Sequence, residues 1–215
     1  MADFEKPEDL FGNSKDEFLK QAKEKLERFK TTGPTIIIGV FLMIIALFNS
    51  FYSVGPDEVG VIRRFGKYVR TTNPGLHLKL PFVEKVNKVK VKYIFKEEFG
   101  FRTTRPGIVT QYSTREYFDE SLMLTGDLNV LVVEWIVQFK VKDPVKLLFN
   151  IRNPQETIRN ISEAVMRQVI GDNTVNEVLT TRRVEVNQEV QDNLQAILDS
   201  YDSGIQIVTV KLQDV

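Results

Sequence analysis

The sequence contains no cysteine, and that absence alone removes disulfide scaffolds, thiolate metal sites and cysteine nucleophiles. It contains one histidine, His77, which excludes a His-rich metal site and a paired-histidine zinc motif. Neither sign of charge is in excess: 29 basic and 29 acidic side chains leave the 215-residue chain formally neutral. Neutrality gives no overall case for nucleic acid, whose binders carry a basic face or a high domain pI. Also missing are a G-x-S-x-G nucleophile elbow, a phosphate-binding P-loop and a dinucleotide fingerprint. His77 sits between Leu76 and Leu78 in an extended stretch bounded by prolines, a poor setting for a general base. Serine and lysine are both present, but nothing singles out a Ser–Lys hydrolase pair. The acids of the K-E-E (96–98), D-E-S (119–121) and T-G-D (125–127) strings read as turn and surface residues rather than paired catalytic carboxylates. No catalytic, cofactor-binding or metal-ligating residue is assigned, and the expectation is a non-enzymatic binding or scaffolding protein.

What the sequence does have is one long apolar run, Thr35 to Phe51, with no charged residue. At about 1.5 Å per residue it reaches roughly 26 Å, near the ~30 Å hydrocarbon core of a bilayer. Its Ile, Val, Leu, Met and Phe residues cover every face of a helix, whereas a core helix usually keeps a polar face. A cleaved signal would have a shorter leader and a small-x-small site after the apolar run. The run is therefore predicted to be an uncleaved transmembrane helix over residues 35–51. Lys15, Lys20, Lys23, Lys25, Arg28 and Lys30 precede it; Arg63, Arg64, Lys67 and Arg70 follow it. That bias places the N-terminal segment, 1–34, in the cytoplasm and the rest on the far side.

Within the leader, Ser14 and Glu17 form a capping box, and Phe18, Leu19, Ala22, Leu26 and Phe29 fall on one side of the helix it opens. Such a basic amphipathic helix suits a membrane surface or a solvated juxtamembrane linker. After the apolar run the period changes to two. D-E-V-G-V-I-R-R reads as a strand, turning at Gly66-Lys67 into a second. N-P-G-L-H-L-K-L-P-F reads as a turn and a short extended piece. Val89, Val91, Tyr93 and Phe95 alternate with Lys88, Lys90 and Lys92, predicting a half-buried strand with a solvated lysine face. Residues 96–120 break the alternation and read as a long excursion between strands.

The strongest strand pattern is N-V-L-V-V-E-W-I-V-Q-F-K-V, with Leu131, Val133, Trp135, Val137, Phe139 and Val141 on one face. Asp143-Pro144 ends it. Asn153-Pro154 with Glu156 opens a helix carrying Ile158, Ile161, Val165 and Val169, and Thr174 with Glu177 opens a short one. A longer helix carries Val184, Val190, Leu194, Ile197 and Tyr201 and stops at Ser203-Gly204. A closing strand sets Val208, Val210 and Leu212 against Thr209, Lys211 and Gln213. Strands, then helices, then a last strand predict an α+β domain over residues 52–215.

Several strings resemble the stomatin/prohibitin/flotillin/HflK-C (SPFH, band 7) superfamily, and within it the HflK-like branch. They are G-P-D-E-V-G-V-I-R-R-F-G-K-Y, N-P-G-L-H-L-K-L-P-F, Thr125-Gly126-Asp127 before a strand ending in V-K-D-P, and V-L-T-x-x-R over Val178 to Arg183. The resemblance implies a single-pass protein of a bacterial inner membrane, with a cytoplasmic N-terminus and a periplasmic SPFH domain. It also implies assembly with an HflC-like paralogue into a large ring or cage around an FtsH-like membrane AAA protease, controlling which substrates reach it. Membrane lipids are expected partners; nucleic acid and cofactors are not. The alternative within the superfamily is a stomatin-like organiser of lipid microdomains or membrane proteins. Members continue past the closing strand with a long charged helix, which this sequence, ending at Val215, does not include.

Overall fold

The computed structural model describes residues 38–105, 111–112 and 117–213. The amphipathic leader helix expected around Ser14 to Lys30 lies outside the described residues. The chain divides into two compact units, one of residues 1–52 with 78–82 and the other of 53–77 with 83–215. In the first unit residues 38–50 are helical (α1), so the apolar pattern does specify a helix. Asn49 Nδ2 and Ser50 Oγ fold back on the helix and donate to the carbonyls of Ile45 and Ala46, one turn earlier. The helix stops one residue before the predicted end, because Phe51 already opens β1 (Phe51–Val54). Among the described residues no helix is long and apolar enough to cross a membrane.

The second unit begins with β2 (Glu58–Arg64), β3 (Lys67–Thr72), β4 (Gly75–Leu78) and β5 (Glu84–Lys90). β4 pairs with β1, while β2 lies between β3 and β5, antiparallel to both. The hairpin turns at Phe65-Gly66, both with positive φ, one residue earlier than the glycine pattern predicts. β5 stops at Lys90, whereas the alternation predicts a strand continuing to Phe95. Asp57 explains the break: its carbonyl accepts from the backbone N–H of Val91 and of Lys92, drawing the chain out of the sheet.

A new strand, β6 (Phe95–Phe99), follows where an irregular excursion was expected. Its K-E-E charges hide the strand pattern, yet Phe95 and Phe99 pair with Phe139 and Trp135 of β11 (Trp135–Val141). Both pairs stack, with ring centroids 5.4 Å and 4.5 Å apart. Such cross-strand aromatic pairs add about 0.5–1.5 kcal/mol beyond burial. Next come the small hairpin β7 (Thr103–Arg105) and β8 (Gln111–Tyr112), the turn of helix α2 (Phe118–Ser121), and the hairpin β9 (Leu122–Leu124) and β10 (Val130–Val132). The predicted apolar face from Leu131 to Val141 is buried throughout, but the strand is two. Val133 N–H leaves the ladder for the Ser121 carbonyl, and the Glu134 carbonyl accepts from Gln213 N–H.

Three further helices complete the unit: α3 (Pro144–Asn150), α4 (Pro154–Gly171) and α5 (Arg183–Ser200), with a π-helical turn over Glu177–Thr181. Asp143 caps α3, its Oδ1 accepting from Val145 and Lys146 N–H. Ile158, Val165, Met166, Val169 and Ile170 of α4 join Val186, Val190, Leu194 and Leu198 of α5 in one core with Trp135, Val137 and Phe139. Val184, expected in that stripe, is 81 % exposed, and Tyr201 is exposed as well; the buried stripe begins at Val186. The last strand, β12 (Ile205–Leu212), runs antiparallel to β11 in a sheet ordered β12-β11-β6. Its pairing steps from Thr209↔Gln138 to Ile207↔Phe139, a bulge at Val208. The bulge exposes Val208, expected inward, and buries Ile207 in its place.

α5 also closes the free edge of β12. Gln195 Oε1 accepts from Ile207 N–H at 2.8 Å, Asn187 Oδ1 accepts from Leu212 N–H at 3.0 Å, and Arg183 donates to the Leu212 carbonyl at 3.2 Å. An edge so covered cannot recruit another strand. At the other end of β12, the Gly204 carbonyl accepts from Lys142 and Asp143 N–H, both at 2.9 Å. Gly204 has φ +68°, and a Cβ there would run into the Asp143 carbonyl oxygen. Gly204→Ala is expected to lower stability by about 2 kcal/mol or more, strain and clash together. Thermal unfolding of the variant should show the loss; an unchanged midpoint would refute the account of this corner.

Candidate functional site

Of the acids in the K-E-E and D-E-S strings, Asp119 is exposed as expected, but Glu97, Glu98 and Glu120 are partly buried and paired. Glu97 and Glu98 of β6 and Glu120 of α2 converge with Arg102 and Arg159 into one ionic lattice. Arg159, on α4, donates to Glu97 Oε2 at 2.9 Å and to Glu120 Oε1 at 2.8 Å. Arg102 reaches the same Glu120 oxygen at 2.7 Å, and Gly100 N–H donates to the other at 3.2 Å. Glu98 accepts from Lys96 at 2.7 Å and from both the backbone and the hydroxyl of Thr103. The guanidinium planes rest on aromatic faces, Arg159 over Phe99 at 4.6 Å and Arg102 over Tyr117 at 4.5 Å. Sequence spacing does not join these residues, since up to 62 positions separate the partners.

The electrostatics speak against acid–base chemistry. Burial pushes the Glu120 carboxyl up, but hydrogen bonds from Arg102 and Gly100 and the charges of Arg159 and Arg102 outweigh it and hold it low. Burial likewise raises Glu98, and donors from Lys96 and Thr103 pull it below the ordinary value. A carboxylate held ionised among donors serves poorly as a general acid or base near neutral pH. His77 Nε2 donates to the Asn73 carbonyl oxygen at 2.7 Å, across the N-P-G turn. Among the described residues no group of His, Asp and Glu is placed to hold a metal ion. The arrangement ties β6, α2 and α4 together.

The T-G-D turn has a similar role. Thr125 Oγ1 donates to Asp127 Oδ1 at 2.6 Å, and the Asn129 side chain donates to Asp127 Oδ2 at 2.9 Å. The Thr125 hydrogen bond, helped by Asn129 and the Val175 N–H, holds the Asp127 carboxyl below its ordinary value. Gly126 N–H donates to the Asn173 carbonyl, and a Cβ on Gly126 would meet the Gly171 carbonyl oxygen at 2.9 Å. Only glycine lets the turn approach the end of α4 so closely. Asn173 in turn accepts from Arg182 at 2.7 Å, so the T-G-D and V-L-T-x-x-R strings meet at one junction. The expected capping box closes beside it, Thr174 N–H and hydroxyl donating to Glu177 at 2.9 and 2.8 Å.

With this framework in view, comparison with known proteins is decisive at the level of family. The SPFH domain / Band 7 family matches residues 52–215. The chain belongs to that family. It is similar to Protein HflK of Treponema pallidum (strain Nichols), 39% identical over 176 residues, covering 81% of this chain and 53% of that protein. It is similar to Protein HflK of Borreliella burgdorferi, 35% identical over 179 residues, covering 83% of this chain and 57% of that protein. It also resembles "Modulator of FtsH protease HflK" of Escherichia coli (strain K12), 30% identical over 177 residues, covering 82% of this chain and 38% of that one. The chain thus spans about half the length, or less, of the curated relatives it matches. In this SPFH domain the T-G-D and V-K-D-P strings lie at joints of the fold.

The lattice makes a pH prediction. Glu98 and Glu120 titrate lower in the folded chain than the ordinary 4.5. Their contribution is therefore present above the unfolded value and lost as pH falls through the folded one. Glu120→Gln should be less stable than the parent at pH 7, with the gap closing as pH drops below that range. Urea midpoints across pH measure it; a constant gap would mean the Glu120 charge contributes nothing.

Proposed function

We propose that this chain is a membrane-anchored, non-enzymatic scaffold of the HflK type. In this reading residues 1–34 are cytoplasmic, 35–51 cross the bacterial inner membrane, and the SPFH domain, 52–215, is periplasmic. The chain assembles with an HflC-like paralogue into a ring or cage and regulates substrate access to an FtsH-like membrane AAA protease. The observation that carries this reading is the similarity to proteins named HflK, one of them named as a modulator of FtsH protease. Two further features support it. The T-G-D turn and the V-K-D-P segment hold joints of the domain together, as expected of a scaffold. The apolar run is helical from residue 38 to its end at Ser50, and its leader carries the larger share of nearby Lys and Arg.

Affinity purification of the tagged chain from intact bacterial membranes tests the proposal. The paralogue and the AAA protease should co-purify at near-stoichiometric levels, in particles far larger than one chain. Recovery of a monomer free of any protease would overturn it.

A further inference from the structure

The neutral total of the chain hides two surfaces of opposite sign. The strands of the β3-β2-β5 sheet hold seven Lys and Arg against only Glu58 and Glu84. Five of these cations share one face. Arg64 pairs in register with Glu84 and Lys67, Arg70 pairs with Ile62, and Lys88 and Lys90 follow Glu84 along β5 at period two. Lys67 and Arg70, three residues apart, reach the same face because the pairing of β3 skips Val69. All five are exposed. Glu84, its side chain fully buried, holds Arg64 at 2.8 Å and Arg70 at 3.4 Å. Lys67, Lys88 and Lys90 form no ion pair among the described residues.

α5 carries the opposite sign. Glu185, Glu189, Asp192 and Asp199 follow one another at intervals of four, three and seven residues, which lines them along one side of the helix. Arg182 holds Glu185 at 2.7 Å, and Arg183 is turned to the carbonyls at the end of β12. Glu189, Asp192 and Asp199 form no ion pair among the described residues. Between α5 and β12 opens a cavity of about 310 Å³, lined by Asp192, Asp199, Gln191, Gln195 and Gln206 together with Lys142. Its two carboxylates outnumber that lysine among polar walls, a setting that favours one more basic side chain.

A nucleic acid would answer the sheet and be repelled by α5, and a purely basic protein would do the reverse. A second copy of this chain answers both surfaces at once. The dimensions agree. Seven-residue strands run about 23 Å at roughly 3.3 Å per residue, and Glu185 to Asp199 spans about 21 Å at roughly 1.5 Å per residue. Because the two surfaces differ, such a contact is head-to-tail and repeats from copy to copy, closing a ring where the rotation allows.

We propose that the cationic face of β3-β2-β5 in one copy docks on the acidic side of α5 in the next. Lys88 enters the cavity beside Asp192, and Lys90 faces Glu189. The inference rests on the assembly proposed above and names one of its contact surfaces. The absence of cysteine makes it testable in the full chain. Two differently tagged forms, one Lys88→Cys and the other Asp192→Cys, are produced together and treated in intact membranes with a short bismaleimide crosslinker. Each form alone serves as the control.

The mixed pair should give a product carrying both tags, several-fold more abundant than the product of either form with itself. Adding Glu189→Lys to the Asp192→Cys form should reduce that product several-fold, as should raised salt. Adding Lys90→Glu to the other form should restore it, which a folding defect would not. Large particles without the mixed product, or a mixed product indifferent to charge reversal, overturn the contact and leave the assembly reading standing. Self-pairs that exceed the mixed pair mean a symmetric contact and overturn it too. A monomer that crosslinks with nothing overturns both.

Discussion

The stack of Phe99 on Trp135 is the contact on which the rest of the SPFH domain depends. The rings lie nearly parallel, 2° apart, between register partners on β6 and β11, and both residues are fully buried. On one side the stack continues into the core shared by α4 and α5. On the other, the Phe99 ring carries the Arg159 guanidinium, and through it Glu97 and Glu120. Trp135 Nε1 finds no hydrogen-bond partner among the described residues. Leaving that donor dry costs about 1–3 kcal/mol. Burial of an aromatic this large, plus the stacking term, exceeds that cost. The apolar contact wins, and the ionic lattice is organised around it.

That order of dependence explains what the family strings are for. T-G-D requires glycine because the turn presses on the end of α4, and the arginine of V-L-T-x-x-R, Arg183, donates to the Leu212 carbonyl at the end of β12. V-K-D-P supplies both the cap of α3 and the N–H groups that hold Gly204. Each string sits where two elements must meet at a fixed distance. At two of those joints stand glycines, Gly126 and Gly204, where an added Cβ would collide with a backbone carbonyl.

Much of this fold is legible in the sequence, for physical reasons that differ by element. α4 and the Thr174 capping box follow from local rules, because the partners are three or four residues apart. The face from Leu131 to Val141 is legible because period two survives even where the strand itself breaks. β6 is not, since Glu97 on it is neutralised by Arg159, far along the chain, and no local pattern records that partner. The bulge at Val208 is likewise invisible: one extra residue reverses the faces, and only the pairing with β11 reveals it. The acids of the lattice read as surface groups in the sequence for the same reason. Their chemistry is visible one residue at a time, but their neutralisation is a property of the fold.

Net charge misleads in a related way. A neutral chain suggests no electrostatic preference, yet neutrality here is a sum over segregated parts. The β3-β2-β5 sheet is positive, while α5 carries Glu185, Glu189, Asp192 and Asp199 against Arg183 alone. Two opposite patches on one chain cancel in the total and not at a surface, because screening over about 8–10 Å makes each act on its own neighbourhood. The relevant quantity for a protein that meets a membrane or a neighbouring subunit is the charge within one such distance. By that measure the sheet that follows the apolar run is a cationic surface with an aromatic apex, whatever the whole chain sums to.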